Sequence, residues 1–232
     1  MELLLTRIKD YDKNLEKIVK ILESGNKEEK IKILEILEKS NNSRILEKII
    51  SKLNDEDIQV RGEAFSSLVS NKNGISKILI KNLNCTNKNI KCFVTLVLAN
   101  RNDTIAIPEI IKLTKDENSR VRSCAIGSLG YLKSYASKEI ILKSLLDSNL
   151  EVKKSVLKSM FDLDIPISKE MELNLLKEND PKIMKLLLKL KRWVDRKGFE
   201  PLIRCMPCTY PTRLDDRPIS EIWLNNIFKI GY

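Results

Sequence analysis

The chain contains no histidine among its 232 residues. This absence removes the commonest general base, the Ser-His and Cys-His nucleophile pairs, and every metal site that requires imidazole. Glycine is scarce as well, with seven residues in all, and there is neither a GxGxxG nor a Walker-type loop to cradle a nucleotide. We therefore expect no catalytic residues, no metal and no cofactor, and we predict that the protein is not an enzyme.

Long apolar runs are missing too. No uncharged apolar stretch approaches the roughly 18 residues that cross a bilayer, so we expect no membrane contact. The first residues, MELLLTRIKDYDKN, make a poor signal peptide because an acid stands at position 2. We therefore expect a cytoplasmic protein whose five cysteines are free thiols.

The charge is strongly asymmetric along the chain. The net charge is +10, and because residues 198–232 hold four basic and four acidic side chains, the whole excess lies in residues 1–197. A positive excess permits an acidic partner without demanding one. Hydrophobic residues make up 42% and charged residues 32%, which is the composition of a foldable chain rather than a disordered one.

An internal repeat of about thirty-one residues organises most of the sequence. Segments such as LNDEDIQVRGEAFSSL (53–68) and TKDENSRVRSCAIGSL (114–129) align without gaps. We call the aligned reference residue of each unit the anchor; the six anchors follow one another at steps of 31, 30, 31, 31 and 31, and they are Glu29, Val60, Ile90, Val121, Val152 and Ile183. Repetition at this period is typical of solenoid proteins.

Each unit is predicted to contain two helices. Apolar residues recur at the anchor and at four and eight residues past it, as in Val60, Ala64 and Leu68, which places them on one face of an α-helix. A second apolar helical stretch precedes each of these, and an Asn- and Asp-rich join connects the two. The first helix of a unit is called helix A and the second helix B. Neither helix buries its apolar stripe alone, so stacked units must share one continuous core.

These units resemble HEAT repeats, and in length the short variety found in phycobilisome-lyase-type HEAT proteins. The resemblance covers roughly residues 12 to 194 and implies an all-α, right-handed α-α superhelix, a HEAT/armadillo-like solenoid of about six two-helix repeats. Because the likeness to lyase subunits rests on repeat length alone, no lyase activity follows from it. HEAT-like alkylpurine DNA glycosylases need Trp and Tyr around a carboxylate, and residues 1–192 contain no tryptophan.

Two charged positions in each unit carry the resemblance. An acid stands five residues before the anchor and a base one residue after it, and in HEAT arrays these slots resemble an inter-repeat ladder of hydrogen bonds and ion pairs. Recurrence along the array favours a structural role over catalysis, since chemistry needs one site. Cys85 in the acid slot and Met184 in the basic slot predict interruptions of the ladder. The proposed ladder residues are Asp55, Arg61, Asp116, Arg122, Asp147 and Lys153.

The last two B helices carry the candidate binding residues. Bases recur along one side of PKIMKLLLKLKRWVDRK at offsets 0, 3, 7 and 10, opposite an apolar stripe, and the preceding B helix has a shorter basic stripe. In HEAT solenoids, B helices line the concave face, so the two stripes are expected to merge there, although an ordinary solvated lysine face has the same pattern. The candidate concave basic surface comprises Lys153, Lys154, Lys158, Lys182, Lys185, Lys189 and Arg192.

The resemblance implies a non-enzymatic scaffold or adaptor that binds a protein partner on its concave face, and we expect it to be a monomer. The alternative is binding of nucleic acid or another polyanion through the basic face of the last two repeats. With aromatic residues at 5%, sequence-specific base readout is disfavoured.

The C-terminal segment departs from the repeats, and the predicted division is a solenoid over 1–196 and an atypical extension over 197–232. Residues 198–218, which include Cys205 and Cys208, resemble the antisense translation of a transfer-RNA gene, and ISEIWLNNIFKIGY then returns to the composition of the repeats. The extension is accordingly interpreted as artefactual, with an irregular cap that uses Trp223 and Phe228 as the alternative. The CxxC pair lacks a second pair or a histidine and is not assigned as a site.

Overall fold

The computed structural model describes residues 15–196, and side chains as far as residue 192. The predicted extension over 197–232, with Cys205 and Cys208, lies outside the described residues. Within 15–196 the regular structure consists entirely of helices. The chain alternates A and B helices six times, which confirms the predicted all-α superhelix of two-helix repeats.

The A helices are short and the B helices mostly longer. The A helices are α1 (Leu15–Ser24), α3 (Ser43–Ser51), α5 (Ser76–Asn82), α7 (Ile107–Leu113), α9 (Lys138–Lys143) and α11 (Lys169–Leu176). The B helices are α2 (Lys27–Ile36), α4 (Ile58–Ser70), α6 (Lys88–Asn100), α8 (Ser119–Tyr131), α10 (Leu150–Asp162) and α12 (Pro181–Arg196). Single 3₁₀ turns flank several of them, at Leu37–Lys39, Lys52–Asn54, Thr104–Ala106, Tyr135–Ser137 and Ser144–Leu146.

The predicted core positions are buried. Four residues past the anchor, Ala64, Val94, Ala125 and Val156 all have no exposed surface. Eight residues past it, Leu37, Leu68, Leu98, Leu129 and Met160 are equally inaccessible. These side chains join one continuous hydrophobic cluster that runs from α1 to α12.

Every B helix begins at the same kind of residue. Three residues before the anchor stands an Asn or Asp whose side-chain oxygen accepts hydrogen bonds from backbone N–H groups of the first turn. These caps satisfy donors that a helix start leaves unpaired, and each stabilises its helix by about 1 kcal/mol. The six caps are Asn26, Asp57, Asn87, Asn118, Asn149 and Asp180.

Three B helices also end alike. Asn102, Lys133 and Asp164 adopt φ values of 57°, 52° and 55°, directly after α6, α8 and α10. In each case the following N–H bonds a carbonyl five residues back, as from Ser134 to Leu129 at 3.0 Å. This is the Schellman arrangement, which turns the chain sharply and delivers it to the next A helix.

Candidate functional site

The B helices form a continuous row along the solenoid. Consecutive B helices contact one another at every step from α2 to α12, most between α8 and α10 and least between α4 and α6. Neighbouring A helices contact each other less, and least beyond α5. We call the surface formed by this row of B helices the inner face.

An ion-pair ladder joins successive repeats. The base after one anchor pairs with the acid before the next anchor, always 25 residues further along the chain, and we call each such pair a rung. Lys91 Nζ lies 2.7 Å from Asp116 Oδ2. Arg122 holds both oxygens of Asp147, at 2.7 Å and 2.9 Å. The remaining rungs are Lys30–Asp55, at 3.1 Å, and Lys153–Glu178.

Each aspartate of the ladder also shapes its own interhelical turn. The second oxygen of Asp116 accepts the N–H of Asn118 at 2.9 Å, and Asp147 accepts that of Asn149 at 2.9 Å. The Arg122 guanidinium is the main cause that holds the pKa of Asp147 below its usual value, against partial burial. One carboxylate therefore fixes both the turn and the junction between repeats.

One rung is absent where Cys85 occupies the acid slot. Arg61 Nη1 donates to the carbonyls of its own turn, Asp55 at 2.7 Å and Glu56 at 3.0 Å, just as Arg122 Nη1 does to those of Asp116 and Glu117. Among the described residues, no carboxylate lies within ion-pair distance of Arg61. Cys85 Sγ lies 3.5 Å from the carbonyl of Asn87, within the same turn.

The inner side of α12 exposes part of the predicted basic surface. Lys182, Lys185 and Arg192 are exposed, and Lys189 is half-buried with Nζ at 5.7 Å from the centroid of the Phe161 ring on α10. An ammonium group over an aromatic face is an attractive arrangement that fixes the lysine. Lys189 therefore bridges the last two repeats.

Lys158 on α10 lies between these bases and a carboxylate. Its pKa is lowered chiefly by burial, with the nearby charge of Lys182 acting in the same direction. Burial likewise raises the pKa of Asp162, while Lys133, Lys158 and Lys189 oppose that rise. The basic end of the inner face thus contains a partly buried acid among its lysines.

The structure differs from the predicted basic surface at two lysines. Lys153 forms a rung with Glu178 and is largely enclosed. Lys154 is only 7% exposed, with Nζ at 2.9 Å from Glu151 Oε1 and 3.0 Å from Asp180 Oδ2. Burial alone would lower the pKa of Lys154, but the two carboxylates raise it. Both lysines pair with carboxylates that precede α12, Glu178 and Asp180, so their charges are neutralised within the array.

At the opposite end of the inner face the charge reverses. Glu63 on α4 has a raised pKa, first because of burial and then because of the negative charges of Glu35 and Glu38. Glu35 occupies the slot six residues past the anchor that Lys158 and Lys189 occupy in later repeats. The change from Glu35 to Lys158 and Lys189 can be read from the sequence alone, by aligning the residues that stand six past each anchor.

Two cysteines of the array, Cys92 and Cys124, are buried in contact with each other. Cys92 is 1% and Cys124 is 5% exposed, and they occupy neighbouring B helices. The contact with Cys92, together with burial, raises the pKa of the Cys124 thiol. Within residues 15–196 no group of histidine, cysteine or acidic residues is arranged to hold a metal ion, and no helix there has the length and apolarity to span a bilayer.

Part of the chain is similar in sequence to a known repeat family, and the chain is similar in structure to designed repeat proteins. Residues 76–160 match the HEAT-repeat family model. No curated protein matches the chain. Among solved structures, an engineered protein is 17% identical with a TM-score of 0.46, covering 79% of this chain and 97% of that one. A designed armadillo repeat protein in complex with the peptide (KR)4 is 15% identical with a TM-score of 0.46, covering 79% and 98%. The described residues form an all-α solenoid, of which residues 76–160 match the HEAT-repeat family model.

Proposed function

We propose that this chain is a non-enzymatic scaffold that binds a protein partner along the inner face of its B helices. The HEAT fold is typical of protein-binding scaffolds, and this supports the class of function without naming a partner. Rigid stacked units present a preformed surface, which lowers the entropy cost of association.

The observation that carries the proposal is the division of charge along the inner face. Glu35, Glu38 and Glu63 stand at the α2–α4 end, whereas Lys185 and Arg192 stand exposed on α12. A protein segment with basic residues at one end and acidic residues at the other complements both ends at once. A uniform polyanion would meet like charge at α2 and α4, where repulsion disfavours it.

Charge reversal on the inner face tests the proposal. The full chain is tagged and its partners are captured from the native cell, alongside a Lys185→Glu and Arg192→Glu variant. The matched control is Lys77→Glu and Lys138→Glu, which changes two exposed lysines on the outer helices α5 and α9 by the same charge. We expect a specific protein to be retained by the control and lost from the inner-face variant. A partner that binds both variants equally would contradict the proposed face.

Polyanion binding is the second candidate, because Lys182, Lys185 and Arg192 are exposed along one side of α12. A salt titration with mixed-sequence DNA and RNA distinguishes the two candidates. Micromolar binding with a steep salt dependence, abolished by changing Lys182, Lys185 and Lys189 to Glu, would favour the polyanion. Absence of binding at moderate salt would remove it.

A further inference from the structure

The last repeat presents an apolar end face. Leu173 and Leu176 of α11 are 53% and 41% exposed, and Met184 and Leu188 of α12 are 43% and 41% exposed. We call these four residues the end face. A terminal repeat ordinarily carries a polar outer surface, because nothing stacks on it.

The same slots are buried in the earlier repeats. Five residues past the anchor, where α12 has Leu188, the equivalent residues are at most 7% exposed, and they are Phe65, Thr95, Ile126 and Leu157. Seven residues before the anchor, where α11 has Leu176, the equivalents are at most 8% exposed, and they are Leu53, Leu83, Thr114 and Leu145.

These slots face the following repeat. Ser128 Oγ of α8 donates to the carbonyl of Thr95 at 3.4 Å, and Ser159 Oγ of α10 donates to that of Ile126 at 2.9 Å. The backbone and side chain at this slot are therefore covered by the next B helix. In the sixth repeat the same surface lacks a cover among the described residues.

A seventh repeat in register is a poor candidate for that cover. A further step of 31 residues would place the anchor of a seventh repeat at Leu214 and its core position four residues later at Pro218. Proline inside a helix removes a hydrogen bond and clashes with the preceding turn, at a cost of about 3 kcal/mol. The covering element must therefore be something other than a regular repeat.

The end of the chain supplies a suitable segment. In ISEIWLNNIFKIGY, Ile219, Ile222, Trp223, Ile227 and Ile230 fall at offsets 0, 3, 4, 8 and 11, which is the spacing of one helical face. We propose that residues 219–230 bind the end face, and we call this segment the cap. Residues 197–218 connect the cap to α12, and at about 3.3 Å per residue they reach across any repeat. A tether of this kind holds the segment near the face at about millimolar effective concentration.

Tryptophan fluorescence of the full chain tests this cap. The chain has two tryptophans, so Trp193→Phe leaves Trp223 as the sole reporter. We expect blue-shifted emission that acrylamide quenches weakly, because the indole is shielded when the cap is bound. Leu188→Lys and, separately, Leu173→Lys should shift the emission to the red and increase quenching several-fold. Both positions are exposed, so the helical circular dichroism should persist.

Leu146→Lys is the matched control, because Leu146 is an apolar side chain 86% exposed beside α9. It should leave Trp223 unchanged. Solvent-like emission of Trp223 in the Trp193→Phe parent would overturn the proposal. A fall in sedimentation mass with Leu188→Lys and no change at Trp223 would also overturn it, since a second copy would then cover the face. Neither readout depends on the partner of the inner face.

Discussion

Two junctions of this solenoid are held together in different ways. Between the fourth and fifth repeats, Arg122 grips both oxygens of Asp147. The helices α8 and α10 approach closely there, with Ser123 and Ser155 hydroxyls 2.7 Å apart and Ser159 Oγ bonded to a carbonyl of α8. Polar contacts and small side chains dominate this junction.

The junction between the second and third repeats lacks its rung. Arg101 at the end of α6 reaches back instead, donating to the carbonyls of Leu68 and Asn73 at 3.0 Å each. Phe65 and Phe93 pack edge to face at a centroid distance of 6.4 Å. An arginine at the opposite end of the helix and an aromatic pair thus replace the missing rung. The ladder is therefore one of at least two ways in which neighbouring repeats of this chain are joined.

The largest effect is expected from crowding the α8–α10 contact. A Cβ added to Gly130 would lie 2.6 Å from Ser159 Cβ and 2.7 Å from its backbone Cα. Gly130→Val should therefore destabilise the fold by about 3 kcal/mol, measured by urea unfolding. Gly74→Ala is the control, since a Cβ there has nothing within 4 Å. Equal stability of the two variants would show that α8 and α10 separate easily.

Removal of a rung should cost less. Asp147→Ala deletes the acceptor for Arg122 and for the Asn149 N–H, so we expect a loss of about 2 kcal/mol at pH 7. The pKa of Asp147 is held below its ordinary value of 3.8. The contribution of Asp147 to folding stability is therefore complete above pH 3.8 and is lost as the pH falls through the lowered pKa. Cys85→Ala, at the junction without a rung, should cost little. Equal losses at the two sites would refute the assigned role of Asp147.

A new rung should be possible at the second junction. Cys85→Asp places a carboxylate in the slot opposite Arg61, and we expect a gain of about 1 kcal/mol at most, as for a favourable surface ion pair. Cys85→Asn is the isosteric control without charge. Measured in an Arg61→Met background, the gain should vanish. A gain that survives there would mean that Arg61 is not the partner.

The smallest effect is expected where like charges meet on the first junction. Because burial, Glu35 and Glu38 raise the pKa of Glu63, its ionised form destabilises the fold. This loss of stability is absent at pH values below 4.5, the ordinary pKa of a glutamate side chain. It develops as the pH rises through the raised pKa of Glu63. Glu63→Gln should therefore stabilise the protein at pH 7 by about 0.5 kcal/mol, and by nothing at low pH. Glu56→Gln in an exposed turn is the control, and a pH-independent gain would contradict the mechanism.

The repeat and its core were predictable from the sequence because each slot recurs, as at Val60, Val121 and Val152. The burial of Lys154 could not be predicted from the sequence, because it depends on where the start of α12 lies relative to α10. The need for glycine at position 130 likewise depends on the distance between two helices. Periodicity assigns a residue to one face of its helix, whereas the angle between repeats determines which residues that face contacts.

The constant span of the ladder has a consequence for how the protein folds. Every rung closes a loop of 25 residues, so the entropy lost on closing it is the same at each junction and independent of the total length. Contacts that are this local keep the relative contact order low, which favours fast folding. Folding can accordingly begin at any neighbouring pair of repeats and spread outward one unit at a time.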